Sequence, residues 1–285
     1  MITDLTNVHI KLWHDAMAQT EYFSLDKTAP QNIPALWDSL ASSFDTGLGS
    51  DMGRVFETIS ILDGLGALSD ETVAIDIGCG TGAFSIELAR RCKRIYALDL
   101  SEKMLNKLEA KAKKEGMDNI ICLKMDWKRL SLGDLDPEIN LTLSCLNTGI
   151  NDFESLDKMT RLSKGWNCYI TAAGKRVNQT RNELQEIIFG RTLNNAMGND
   201  IIFPFNIIYS MGYMPSLHYI PCNWRRVRSP EQALLSFVED FSRYKAIDEE
   251  TVKKLELYVK DHLNDDGMYL EQTDTKLGMM AWKSV

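Results

Sequence analysis

Val73 to Ala89 read VAIDIGCGTGAFSIELA. A short apolar run with strand character enters Gly78, Gly80 and Gly82, and a run suited to a helix leaves them. Such a β–turn–α junction keeps side chains out of the turn. Glycine tolerates backbone angles that a Cβ forbids and lets a ligand lie on the main chain. The unpaired amides that open the next helix point into the same space. Asp76 stands two residues before the first glycine, at the carboxyl end of the strand. A dinucleotide would set its pyrophosphate there, where a carboxylate is unwelcome. A ligand with an ammonium group and no phosphate suits it.

Reading outward, the next strand ends in YALDLS (Tyr96–Ser101), with Asp99 at its tip. An acid about 20 positions past the first glycine is placed to accept hydrogen bonds from ribose hydroxyls. Leu100 sits beside it, and Met104 on the following helix is within reach of an adenine. The third strand runs into LKMDW (Leu123–Trp127). Asp126 can accept from an exocyclic amine, and the Trp127 ring offers a stacking face. In order, these positions suit a nucleoside with a charged amino-acid tail, which is S-adenosylmethionine.

The same stretches, AIDIGCGTG, ALDLS and LKMDW, resemble the successive motifs of class I S-adenosylmethionine-dependent methyltransferases. The resemblance spans about residues 70–175 and extends more loosely to the final strands. It implies a Rossmann-like, doubly wound α/β fold: a seven-stranded sheet with six parallel strands and one antiparallel strand near the end. It also implies a cofactor at the carboxyl edge on Gly78, Cys79, Gly80, Asp99 and Asp126, with Asp76 and Gly82 in the same turn. The fourth strand, LTLSCLNTGIND, departs from two patterns of the family. It has neither the Asp/Asn-Pro-Pro-aromatic motif used on exocyclic amines nor the Pro-Cys nucleophile used on cytosine. Ser144 is read as a cofactor contact, and Asn147 and Thr148 as acceptor contacts. No general base is nominated.

Short β-rich runs alternate with helical ones from Val73 to Ala173, which means crossovers and a parallel sheet. The strands read as apolar runs, so both faces of the sheet are covered. Residues 1–69 form a helical cap, and 70–285 form the methyltransferase domain, with a largely helical insertion at about 178–265. In that insertion Leu217–Val227 reads as extended. The chain then closes with two strands, Tyr269–Thr273 and Leu277–Lys283. Trp37, Leu40, Ala41 and Phe44 share one helical face in the cap. Trp37 and Phe44 are the candidates for a lid that walls the acceptor pocket.

Lys plus Arg number 32 against 40 Asp plus Glu, a net charge of -8. Nucleic-acid binding draws most of its affinity from basic surface, so this balance favours a small-molecule acceptor; the alternatives are a protein or nucleic-acid methyltransferase and a non-catalytic S-adenosylmethionine-binding module. The six cysteines form no CxxC pair, and the reading is reduced, packed thiols in a cytoplasmic protein without a metal site. No apolar run reaches the roughly 20 residues that span a bilayer.

Overall fold

The computed structural model describes residues 3–20, 33–45, 51–131, 133, 135, 139–193, 197–242 and 244–284. Three helices precede the sheet: α1 (Asp4–Gln19), α2 (Ile33–Phe44) and α3 (Met52–Gly64). Then β1 (Val73–Ile77), α4 (Ala83–Ala89), β2 (Arg94–Asp99), α5 (Glu102–Lys114) and β3 (Ile120–Lys124) build one half of the fold. The other half holds β4 (Leu141–Cys145), α6 (Phe153–Leu162) and β5 (Trp166–Val177), followed by α7 (Gln179–Phe189) and α8 (Ile202–Ser210). It is completed by β6 (Ser216–Arg228), α9 (Pro230–Ser242), α10 (Glu249–Asp261) and β7 (Tyr269–Lys283).

The seven strands lie in the order β3-β2-β1-β4-β5-β7-β6. Every pair from β3 to β5 is parallel, and β7 runs antiparallel to both β5 and β6. This is the topology implied by the resemblance. The chain leaves β1 toward β2, later returns to the other side of β1 as β4, and so reverses its strand order at β1. Open α/β sheets bind ligands outside the carboxyl ends of the strands at such a reversal. All five β1 residues are buried. Ala74 packs with Val55, Ile59 and Leu62 of α3, whereas Ile75 and Ile77 pack with Leu156 and Met159 of α6. Because side chains alternate across a strand, a fully buried β1 requires helices on both faces.

Two features depart from the sequence reading. The closing segment is one 15-residue strand, not two. Asp274, Thr275 and Lys276 are polar and look like a break, but β6 pairs continuously with them at Asn223, Cys222 and Pro221. The segment 178–265 is also not helical throughout, since β6, read as an extended stretch within it, forms an edge of the central sheet. Strands β5, β6 and β7 therefore run on past the tip of β4, whose last residue, Cys145, pairs with Ile170. Helices α7, α9 and α10 cover one side of that extension through Leu184, Phe237, Leu255 and Tyr269.

Gly165 opens β5 at a point where the main chain is crowded. A Cβ there would stand 2.4 Å from the carbonyl oxygen of Asn140, which already accepts from Trp166 N–H at 2.7 Å. Backbone on both sides leaves nothing free to move. Gly165→Ala is expected to lose about 1–3 kcal/mol of stability by overpacking, measured as a lower midpoint in urea with an unchanged slope.

Candidate cofactor site

The turn after β1 hangs from the tip of β2. Gly78 and Cys79 both donate their N–H groups to Leu98 O, at 2.8 and 3.0 Å, and Gly80 N–H donates to Asp99 Oδ2 at 2.9 Å. All three glycines have positive φ, and each also avoids a different neighbour. A Cβ on Gly78 would fall 2.6 Å from the Asn147 side chain. One on Gly82 would fall 2.1 Å from Leu108 of α5, so Gly82 serves the packing of α5 against the turn. At Gly80 the facing group is the Phe44 ring, 3.3 Å from such a Cβ.

Asp99 bridges two elements, since its other oxygen accepts from Ser101 N–H at 2.8 Å. Burial raises its carboxyl above the usual range, against the pull of the Ser101, Gly80 and Leu100 amides. Asp76 is 2 % exposed and accepts from Ser85 Oγ at 2.6 Å, so its carboxylate braces α4 beneath the turn. Burial pushes it up to about 7; Ser85 opposes that rise and the charge of Asp99 adds to it.

The remaining candidates divide by position. Ser144 and Asn147 both donate to Ile77 O, at 3.0 and 3.1 Å, and tie the end of β4 to the end of β1. Asn147 also accepts from Gly149 N–H at 2.8 Å, with Thr148 half-buried in the turn between them. Just before Asn147, Leu146 has φ 52. A branched residue in the left-handed region is a strained one, of the kind that collects at functional edges. Leu100 is half-buried at the β2 tip, and Met104 is fully buried on α5, whose N-cap Ser101 oxygen accepts the Met104 N–H. Asp126 is half-buried and caps its own loop through Lys128 N–H. Trp127 is 2 % exposed, and its indole N–H donates to Ser155 O at 3.1 Å. Its place is in the core under α6, with Lys158 over the ring, and not at the rim where a purine would stack.

Helix α2 lies across this edge. Asp38 accepts from Ser101 Oγ at 2.5 Å and from Lys103 N–H at 3.2 Å. Asp45 accepts from Thr81 Oγ1 at 2.5 Å and from Lys111 Nζ at 2.8 Å, with Lys107 Nζ at 3.8 Å. Thr81 is itself a residue of the glycine turn. Trp37 and Phe44 are half-buried on the same helix. Sequence reading pointed to those aromatics but missed both carboxylates, whose partners are remote in the chain.

Residues 74–164 match a family model described as a methyltransferase domain. With the sheet order and the turn in place, that decides the family. This segment is a class I S-adenosylmethionine-dependent methyltransferase domain. Over 66% of its length the chain is 27% identical to an uncharacterized protein of Haemophilus influenzae, covering 68% of that protein. It is 38% identical over 55 residues to a protein of Methanothermobacter thermautotrophicus named "Probable cobalt-precorrin-6B C(15)-methyltransferase (decarboxylating)". That match spans 19% of this chain and 29% of the archaeal protein. Among solved structures, one concerns the conversion of a disulfide bond into a thioacetal group during echinomycin biosynthesis. It superposes with a TM-score of 0.53 at 12% identity, over 88% of this chain and 93% of that one. The cofactor of the family is S-adenosylmethionine, and the site fits it. A buried and a half-buried carboxyl at one turn disfavour a pyrophosphate and suit a cation.

Two expectations follow. The fold prefers Asp76 neutral, so stability from this position is complete below about pH 4 and is lost as pH rises through the folded value near 7. Asp76→Asn should therefore melt several degrees above the parent at pH 8, and the gap should close near pH 4. Scanning calorimetry across that range checks the sign. Asp45 behaves oppositely: burial raises its carboxyl, but Lys111 and Thr81 outweigh this and hold it low. Its fastening of α2 persists above about pH 4 and fails only in acid. Asp45→Asn should speed amide exchange in residues 33–45 at pH 7 more than tenfold, whereas exchange in β1 should not change.

Proposed function

We propose that this protein transfers a methyl group from S-adenosylmethionine to a small-molecule acceptor. The observation that carries the reading is a cleft of about 550 Å³ beyond the tip of β4, lined by Ala173, Gly174, Pro221, Cys222, Asn223, Asp274, Thr275 and Lys276. Volumes of 300–1,000 Å³ are those of metabolite sites. The cleft opens where β5 and β7 part company: their register shifts between Ala173 and Val177. Gly174 turns there with φ 66 and donates its N–H to Asp200 Oδ2 at 2.7 Å. Ala173 lies only three residues beyond Ile170, the partner of Cys145, so the cleft borders the edge where the cofactor belongs. The net charge of -8 supports the same reading, because a nucleic-acid acceptor needs a basic surface.

The cofactor supplies an electrophilic methyl group on a sulfonium. The protein then has to hold the acceptor in line and keep water away. Gly78, Cys79 and Gly80 shape the floor, Asp99 takes the ribose side, and α2 with Trp37 and Phe44 closes over them. Asn147 and Thr148 stand between this floor and the cleft. Burial lifts the thiols of Cys145 and Cys222 to about 11 and about 12, so neither serves as a base at neutral pH.

Incubation with S-adenosylmethionine labelled on the methyl group, together with separated metabolite, RNA and protein fractions, tests this directly. Label is expected in the metabolite fraction. Label in RNA or protein instead would overturn the small-molecule reading. Asn223→Trp, which fills the cleft, is expected to lower kcat/KM for that acceptor at least tenfold and to leave S-adenosylhomocysteine affinity within about twofold.

A further inference from the structure

Strand β7 runs between β5 and β6, and Lys276 is one of its residues at the cleft. Its register partners are Ala173 on β5 and Pro221 on β6. Residues directly opposite one another in a sheet share a face. The Lys276 stem is therefore flanked by two side chains that carry no hydrogen-bonding atom. Two residues further along β7, on the same face, stands Gly278, which has no side chain and packs against Ile201. Lys276 is exposed, and its ammonium has no hydrogen bond or ion pair among the described residues.

The acids nearby are already engaged. Asp274 Oδ1 accepts from Asn223 Nδ2 across the strand pair, and Oδ2 accepts from Gln272 Nε2 at 3.3 Å. Asp200 gives both oxygens to main-chain amides: Oδ2 accepts from Gly174 N–H at 2.7 Å and Oδ1 from Ile202 N–H at 2.9 Å. The neutral donors of the lining are engaged as well. Thr275 Oγ1 donates to Lys276 O at 3.5 Å, and Cys222 Sγ to Ile220 O at 3.7 Å. Among the described lining residues, Lys276 is thus the charged group without a partner. Arg225 continues the same sign along the face. It lies on β6 two residues past Asn223, is exposed, and has no partner among the described residues. Like charges grouped beside a cleft with low-dielectric walls draw in ligands of the opposite sign. An acceptor that fills the cleft also strips water from the ammonium. A neutral molecule returns nothing for that loss, whereas an anion forms a charge-assisted hydrogen bond.

We infer that the methyl acceptor carries an anionic group, a carboxylate or a phosphate, and that Lys276 binds it in the cleft. This rests on the small-molecule reading of the cleft and adds the charge class of the substrate.

Metabolites separated by charge on ion-exchange resins, each fraction incubated with the protein and methyl-labelled S-adenosylmethionine, give the first readout. Label is expected in a fraction that the anion exchanger retains. Phosphatase treatment of that fraction beforehand distinguishes the two sources: a phosphate ester loses its retention, and a carboxylate keeps it. With the retained acceptor, Lys276→Gln should raise KM about 5- to 20-fold and change kcat by less than about twofold, the pattern of a lost binding contact. Lys276→Arg, which keeps the charge, should recover most of the affinity. Asp274→Asn should move KM the other way, lowering it about twofold, because it removes a negative charge roughly 7 Å along the strand. Label confined to uncharged or cationic metabolites would overturn the inference and leave the small-molecule reading standing. An unchanged KM in Lys276→Gln, or equal losses in the Gln and Arg variants, would also overturn it. Label in no metabolite fraction would defeat the small-molecule reading itself, and this inference with it.

Discussion

Two N–H groups converge on the carboxylate of Asp99, one from Gly80 and one from Ser101. Through them one side chain at the tip of β2 fixes both the glycine turn after β1 and the start of α5. The turn cannot drift, because Gly78 and Cys79 are also bonded to the neighbouring Leu98 carbonyl. Helix α5 cannot drift either, since Leu108 fills the space left by the missing Cβ of Gly82. The cost is a carboxylate held in a mostly buried position with another, Asp76, in its field. Sites that gather like charges in this way are poor folds and good receptors for a cation. The arrangement is therefore best understood as preorganised for a ligand and not as a local optimum of stability.

The edge opposite Asp99 is built from more distant pieces. Strand β4 stops at Cys145, whereas β5, β7 and β6 continue and carry three helices with them. That unequal length leaves a step in the sheet, and the cleft lies on the step. The start of α3 reaches the same level through Asp51 and Trp224.

Much of this was legible in the chain. The strand–glycine–helix junction, the acid at the end of β2 and the alternation of strands and helices all depend on local periodicity and turn chemistry, and each lies where it was expected. Three features were not legible, for identifiable reasons. The polar run Asp274–Lys276 looked like a break because strand continuity there comes from pairing with β6, a non-local partner. Trp127 follows an acid at a strand end and so looked like a stacking platform, but its ring packs under α6 and its N–H finds Ser155. Asp38 and Asp45 are separated from their partners along the chain, by 63 residues to Ser101 and 36 to Thr81. No window of sequence shows such a pair.

Those carboxylates bear on how the site works in different media. Asp45 and its lysines are about one-third exposed, so ions of the solvent reach them. The Debye length is about 8 Å at physiological ionic strength and about 3 Å in molar salt. Attraction between Asp45 and the two ammonium groups of α5 is therefore a screened quantity, whereas the packing of Phe44 on Gly80 is not. Added potassium chloride loosens the first contact and leaves the second. That end of α2 is then held on the glycine turn by Phe44 and the Thr81 hydrogen bond, so ionic strength tunes how firmly it is seated.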